Sequence, residues 1–289
     1  MRVIRAKTAG FCMGVSLALH RLDRELRTAP SAGSVEKPGR LLTFGPIIHN
    51  PLVMEEYAAL GVASEENPDA LGPGDRVVIR AHGVPHEIEE RLRNKGITIV
   101  DATCPKVKKA QLAIAGESAS GGLLLLFGEP EHPEVRGLLS YAGQGAQVFS
   151  APEDLAALAL DEAKMYFLAA QTTQDRALFE RIAAALQKRL GGKLKVLDTI
   201  CDATIQRQGE TIELSRQVDI VVVVGGLNSG NTRRLAEVAR TEGTPAIHVE
   251  QAAELQEGQF AHVGTVGLTA GASTPESHID AVQAFLERI

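Results

Sequence analysis

Ile220-Val221-Val222-Val223-Val224 is the stretch that decides the fold class. Five β-branched residues in a row favour a strand, and the absence of apolar–polar alternation means that both faces of that strand must be covered. Gly225-Gly226-Leu227-Asn228-Ser229-Gly230-Asn231-Thr232 follows at once, and a helical pattern begins with Arg233-Arg234. A doubly covered strand that turns into a helix is the repeating unit of a parallel sheet.

The same succession recurs along the 289 residues. Strands are expected at 3–6, 41–44, 77–81, 97–100, 123–127, 147–150, 165–169, 195–198, 220–224, 246–249 and 263–268. Helices are expected between them, at 15–27, 51–60, 85–95, 105–118, 133–142, 175–190, 204–217, 232–242 and 275–288. The class is therefore α/β with mainly parallel sheets. Residues 28–40 are small and turn-rich and read as a surface insertion without chemistry.

Composition excludes several function classes. With 30 basic and 36 acidic residues the net charge is −6, which offers no bulk attraction to nucleic acid or to an anionic membrane. Trp is absent and aromatics are 4%, which disfavours a stacking platform for single-stranded nucleic acid. Met1-Arg2-Val3-Ile4-Arg5-Ala6-Lys7 lacks the apolar segment of a signal peptide, and the longest apolar runs, 123–127 and 220–224, are too short to cross a bilayer. A cytoplasmic location is expected.

Several strand-to-helix junctions share a pattern: a polar residue ends the strand and a proline opens the helix. They are Ile48-His49-Asn50-Pro51, Ala81-His82-Gly83-Val84-Pro85, Asp101-Ala102-Thr103-Cys104-Pro105, Glu131-His132-Pro133-Glu134 and Ala272-Ser273-Thr274-Pro275. Proline in the first helical turn gives up an amide that has no intrahelical partner anyway. The residues before it then sit at the carboxyl end of a strand and the positive end of a helix, where open α/β sheets bind ligands and anions. His49, His82, Cys104, His132 and Ser273 occupy equivalent places in different units.

Cys12, Cys104 and Cys201 are the three cysteines, 92 and 97 residues apart. Their sparse, odd number rules out a secreted disulfide framework and points to a reducing compartment. A single free cysteine packs most often as a small hydrophobe. Here, however, each follows a strand and precedes a helix, one per third of the chain, which points to a pseudo-threefold arrangement around a metal centre. No Cys-x-x-Cys supports structural zinc. Three thiolates suit an iron–sulfur cluster in which one iron lacks a cysteine ligand and binds substrate.

The remaining candidates each have two readings. Glu134 is either a first-turn carboxylate facing the helix dipole or a proton donor. The 225–232 loop is a capped turn or a phosphate cradle of amides, hydroxyls and carboxamides. It matches neither the P-loop nor the dinucleotide fingerprint, which disfavours nucleotide cofactors. Gln171-Thr172-Thr173 and Thr269-Ala270-Gly271-Ala272-Ser273 are further strand-end loops that either cap helices or meet substrate oxygens.

Taken together and in order, these motifs resemble the 4-hydroxy-3-methylbut-2-enyl diphosphate reductase family. The resemblance runs from Gly10-Phe11-Cys12 through His49-Asn50, Ala81-His82-Gly83-Val84, Asp101-Ala102-Thr103-Cys104-Pro105, His132-Pro133-Glu134-Val135, Gln171-Thr172-Thr173, Ile200-Cys201-Asp202-Ala203-Thr204, Asn228-Ser229 and Asn231 to Thr269-Ala270-Gly271-Ala272-Ser273, and so covers essentially the whole chain.

It implies a trefoil of three small α/β units, at 14–104, 105–200 and 201–289 with 1–13, around a [4Fe–4S] cluster held by Cys12, Cys104 and Cys201. It implies a reductive removal of the allylic hydroxyl, with two electrons from ferredoxin or flavodoxin and two protons, giving isopentenyl and dimethylallyl diphosphates. By the same resemblance His49, His82, Ser229, Gly230, Asn231 and Ser273 would hold the allylic diphosphate, with His132 assisting. Glu134 would deliver a proton through Thr172 or a bound hydroxyl.

Two positions depart from the family pattern. Gly230 stands where a second serine is common, so one diphosphate contact is lost or made by a backbone amide. Gly128-Glu129-Pro130-Glu131 carries charge where the family has small or neutral residues. Two alternative readings remain. Quinolinate synthase also resembles a three-cysteine trefoil, but has less need of two hydroxyl-rich loops. A non-catalytic iron–sulfur sensor or carrier leaves the histidines, Glu134 and Thr172 without a role.

Overall fold

A computed structural model describes residues 1–28, 39–161 and 163–289. Residues 29–38, the greater part of the expected surface insertion at 28–40, lie outside the described residues.

In chain order the elements are β1 (Arg2–Arg5), α1 (Met13–Thr28), β2 (Leu41–Phe44), α2 (Pro51–Ala59), β3 (Ala63–Glu65), β4 (Arg76–Ile79), α3 (His86–Asn94) and β5 (Thr98–Asp101). Then come α4 (Pro105–Ala119), β6 (Leu123–Phe127), α5 (Pro133–Leu139), β7 (Gln147–Phe149), β8 (Tyr166–Ala170), α6 (Arg176–Leu190) and β9 (Leu194–Val196). The chain closes with α7 (Asp202–Ser215), β10 (Ile220–Val224), α8 (Gly230–Thr241), β11 (Ala246–Val249), β12 (Thr265–Ala270) and α9 (Glu276–Arg288). The short β3 has no counterpart among the expected strands, because Ala63-Ser64-Glu65 carries neither an apolar run nor alternation and leans on β2 from the sheet edge.

β10 shows why its sequence does not alternate. Ile220, Val222 and Val224 pack with Ile279, Val282 and Leu286 of α9 on one face. Val221 and Val223 pack with Leu235, Ala236 and Ala239 of α8 on the other. Burying each of these side chains contributes about 1.5–3 kcal/mol, and both periods of the strand are used.

Among the described residues the strands form three four-stranded sheets, ordered β1-β12-β10-β11, β3-β2-β4-β5 and β7-β6-β8-β9, and every pairing is parallel. Read from β11 to β1, the first sheet repeats the order of the other two, with β1 standing where a strand after β12 belongs. In each sheet the connections leave a central pair in opposite directions: β2 and β4, β6 and β8, β10 and β12. That reversal is the topological switch point, and the residues beyond the carboxyl ends of the pair are placed to bind ligand.

His49 and His82 follow the first pair. His132 with Glu134, and Thr172, follow the second. Ser229, Gly230 and Asn231, and Ser273, follow the third. Cys104, Cys201 and Cys12 follow the strand outside each pair, β5, β9 and β1.

The described chain divides into two compact units. One is Met1–Val15 with Ile48–Glu55 and Cys201–Ile289; the other is Ser16–Ile47 with Glu56–Ile200. The sheet containing β10 lies in the first, and the other two sheets lie in the second. Among the described residues, no helix is long and apolar enough to cross a membrane.

The proline junctions take two forms. Proline is the first helical residue of α2, α4 and α5. In α3 and α9 it is the capping residue just outside, Pro85 and Pro275. Either way it withholds no amide that the helix needs.

Candidate functional site

In the unit that carries β10, backbone contacts draw four loops together. The Cys12 amide donates to the Ala272 carbonyl at 3.2 Å. The Ser273 hydroxyl donates to the His49 carbonyl at 3.1 Å, and the Asn50 carboxamide donates to the Ser273 carbonyl at 3.0 Å. A Cβ at Gly226 would stand 2.6 Å from the His49 carbonyl oxygen, so only glycine admits this approach. Cys12, His49, Ser273 and the 225–231 loop thus share one neighbourhood.

Ser229 caps α8, its hydroxyl accepting from the Thr232 amide at 3.3 Å, so the capped-turn reading of this loop holds. Asn231, in the first turn, is 6% exposed, and its Nδ2 has no hydrogen-bond partner among the described residues. Burying such a donor unpaired costs about 1–3 kcal/mol. A donor kept dry at a helix N-terminus is fitted to an anion. Gly230 opens the helix and brings no side chain.

Cys201 caps α7 in the same unit, and the Cys12 thiol accepts from the Val15 amide at 3.4 Å as α1 begins. Arg207 of α7 is 4% exposed and donates to the Gly10 carbonyl at 2.6 Å. Burial holds its guanidinium below the usual arginine range, with Cys12, Cys201 and Glu210 pushing the other way.

The other unit carries Cys104, which caps α4 and whose amide donates to the Ala81 carbonyl at 2.9 Å, directly beside His82. The His82 and His132 rings meet edge to face, with centroids 5.3 Å apart. His132 caps α5: its Nδ1 accepts from the Glu134 amide at 3.1 Å. An accepting Nδ1 leaves the proton on Nε2 of the neutral ring, so His132 presents an N–H donor at its far edge.

Glu134 is 1% exposed. Its carboxylate is held by Thr172, whose amide donates at 2.6 Å and whose hydroxyl donates at 2.9 Å. Burial pushes its pKa from 4.5 to about 7, against the opposing pull of the Thr172 amide and hydroxyl. A carboxylic acid poised near neutrality beside a hydroxyl is suited to giving up a proton. The charged loop before His132 leaves this pair undisturbed. Glu131 is exposed and ion-paired with Arg136, while the Glu129 amide donates to the Gln171 carboxamide at 3.1 Å.

Three supporting residues escaped the sequence reading. Thr199, two residues before Cys201, donates to the Ala170 carbonyl at 2.7 Å and accepts from the Ala170 amide at 2.8 Å. His248 meets the Gly225 carbonyl through Nε2 at 2.8 Å. Arg207 belongs to a face of α7 on which Thr204, Gln208 and Thr211 are also buried. Their spacing of three and four residues was the available signal, but apolar periodicity passes over polar residues.

Comparison with known proteins agrees with this geometry. The family model for LytB protein matches residues 3–287. The 4-hydroxy-3-methylbut-2-enyl diphosphate reductase of Nitratidesulfovibrio vulgaris (strain DP4) is 58% identical over 290 residues, covering 100% of both chains. The enzyme of the same name from Solidesulfovibrio magneticus is 55% identical over 99% of each.

Among solved structures, the E-1-hydroxy-2-methyl-but-2-enyl-4-diphosphate reductase of Plasmodium falciparum superposes with a TM-score of 0.90 at 25% identity, covering 99% of this chain and 87% of that one. An (E)-4-hydroxy-3-methyl-but-2-enyl diphosphate reductase described as the terminal enzyme of the non-mevalonate pathway is 37% identical over the full length of both, with a TM-score of 0.69. A family match over nearly every residue and relatives of equal length joined to it end to end leave one assignment: the chain belongs to the LytB protein family.

Proposed function

We propose that this chain is a 4-hydroxy-3-methylbut-2-enyl diphosphate reductase. It removes the allylic hydroxyl as water, consumes two electrons and two protons, and releases isopentenyl and dimethylallyl diphosphates. The observation that carries the reading is full-length identity of 58% to a reductase of that name, joined to a buried Glu134–Thr172 pair able to give up a proton at neutral pH.

Cys12, Cys104 and Cys201 are proposed to hold a [4Fe–4S] cluster, one cysteine from each of the units 14–104, 105–200 and 201–289 with 1–13. The donor chemistry fits. None of the three cysteines is in a disulfide, all are partly exposed, and each stands at the start of a helix, where the negative charge of a metal-bound sulfur is favoured. When bound, the cluster would supply the electrons and an iron without a cysteine ligand, acting as a Lewis acid.

The chain's own residues do the rest. Asn231 offers its buried carboxamide to the diphosphate, and Ser229, the Gly230 amide, His49 and Ser273 belong to the same group of loops. Ser273 must turn its hydroxyl from the His49 carbonyl to donate. His82 and His132 are proposed to act on the substrate with their imidazole N–H groups. Glu134, neutral up to about pH 7, passes its proton through the Thr172 hydroxyl to the departing oxygen, and the two Thr172 donors hold the carboxylate left behind. The electron donor is proposed to be ferredoxin or flavodoxin in the cytoplasm, consistent with three cysteines that form no disulfide.

The test is an anaerobic, iron-replete preparation on which iron and sulfide are quantified and turnover is measured with a chemical one-electron reductant. Iron, sulfide and both isomeric diphosphate products are expected together. Protein free of iron, or loaded protein that leaves the hydroxylated diphosphate untouched, overturns the reading.

A further inference from the structure

Arg207 is a buried cation for which the mechanism above has no use. Its Nη2 donates to the Gly10 carbonyl at 2.6 Å and its Nη1 reaches the Ala203 carbonyl at 3.4 Å. Gly10 precedes Cys12 by two residues and Ala203 follows Cys201 by two, so one guanidinium fastens both cysteine loops. Its Nε is buried without a hydrogen-bond partner among the described residues.

One turn further along α7, Glu210 accepts from the Lys7 and Thr8 amides at 2.6 and 2.8 Å and from the Thr8 hydroxyl at 2.6 Å. Helix α7 therefore grips the loop 7–10 at two points. A guanidinium this deep is expensive to desolvate with carbonyls as its partners, and stays charged. The acidic groups that act on it are, in order, Cys12, Cys201 and Glu210.

We infer that Arg207 is a positioning residue that ties the Cys12 loop to the Cys201 helix and raises the reduction potential of the group those two sulfurs hold. The inference rests on the reading that the cysteines bind an iron–sulfur cluster. One electron from a low-potential donor adds one negative charge to the cluster, and a cation fixed to the two loops that carry Cys12 and Cys201 favours the reduced state over the oxidised one. Glu210, the counter-charge on the same helix, moderates that effect.

The experiment uses full-length protein prepared anaerobically, with iron and sulfide counted and the midpoint read from a redox titration followed by electron paramagnetic resonance. In Arg207→Gln with wild-type iron content, the ratio of reduced to oxidised cluster at the wild-type midpoint is expected to fall about tenfold, about 59 mV for one electron. Arg207→Lys, which keeps the charge, restores most of the wild-type value. An unchanged midpoint in Arg207→Gln, or a lysine variant no different from glutamine, overturns the inference. Where the arginine variants do not fold or load, Glu210→Gln decides: its midpoint is expected to move positive, and an unmoved one overturns the inference. Wild-type protein that binds no iron would instead refute the cluster reading, before any variant is made.

Discussion

Thr172 grips both oxygens of the Glu134 carboxylate, its amide donating to Oε1 at 2.6 Å and its hydroxyl to Oε2 at 2.9 Å. These donors favour the charged form and hold the acid near neutrality against a burial that drives it higher. Thr172→Val removes one donor and keeps the shape. The acid then needs a higher pH to ionise, so the alkaline limb of the pH–rate profile is expected to move up. The maximal rate should drop by about 10²-fold or more for want of the relay hydroxyl. A profile superimposable on wild type would remove Thr172 from the proton path.

Glu134→Gln separates the acid's chemical role from its cost to the fold. Turnover is expected to fall about 10²- to 10⁴-fold, while iron content and pyrophosphate binding persist. The folded-state pKa of about 7 lies above the ordinary 4.5. The folded protein therefore keeps a proton that the unfolded chain has already lost, and stability declines as pH rises through that window. The full decline is on the order of 3 kcal/mol. Glutamine does not ionise, so the variant's melting temperature should gain on wild type between pH 5 and pH 8 in anaerobic scans. A difference that stays constant with pH would place Glu134 outside this linkage.

How much of this was legible in the sequence follows from what each signal measures. The unbroken Ile220–Val224 run announced a doubly covered strand, because apolar burial is written in residue type. The His49, His82, Cys104 and His132 junctions announced themselves through proline, whose backbone constraint is local. Arg207, Thr199 and His248 stayed silent because their partners are backbone carbonyls and amides 23 to 197 positions away, as with Arg207 and Gly10, and any residue supplies those groups. Residue type also left Glu134 with two readings. Its capping imidazole lies two residues upstream, but the hydroxyl that holds the carboxylate comes from 38 residues downstream.

Gly271→Ala tests the packing behind the anion loop. An added Cβ would lie 2.0 Å from the Thr232 hydroxyl and 3.0 Å from the Thr232 Cβ, an atom fixed to the α8 backbone. The first turn of α8, which carries Asn231, has to move. Overpacking of this kind costs about 1–3 kcal/mol. A lower melting temperature is expected together with weaker binding of inorganic pyrophosphate by calorimetry, and KM should rise more than kcat falls. Wild-type affinity in a destabilised variant would show that the loop's position does not govern binding.

Asn231→Leu sets stability against binding most directly. The wild-type carboxamide is buried with Nδ2 unpaired among the described residues, a cost of about 1–3 kcal/mol carried by the ligand-free fold. Leucine has nearly the same shape, brings no polar atom and is the better helix former. The substrate-free variant should melt at a higher temperature than wild type. It should also bind inorganic pyrophosphate at least about tenfold more weakly, since a charge-assisted hydrogen bond contributes roughly 1.5–3 kcal/mol. A donor maintained at the expense of stability is the mark of a group kept for its ligand. If the variant melts lower and binds as before, the carboxamide serves the fold, and the diphosphate is held by other groups.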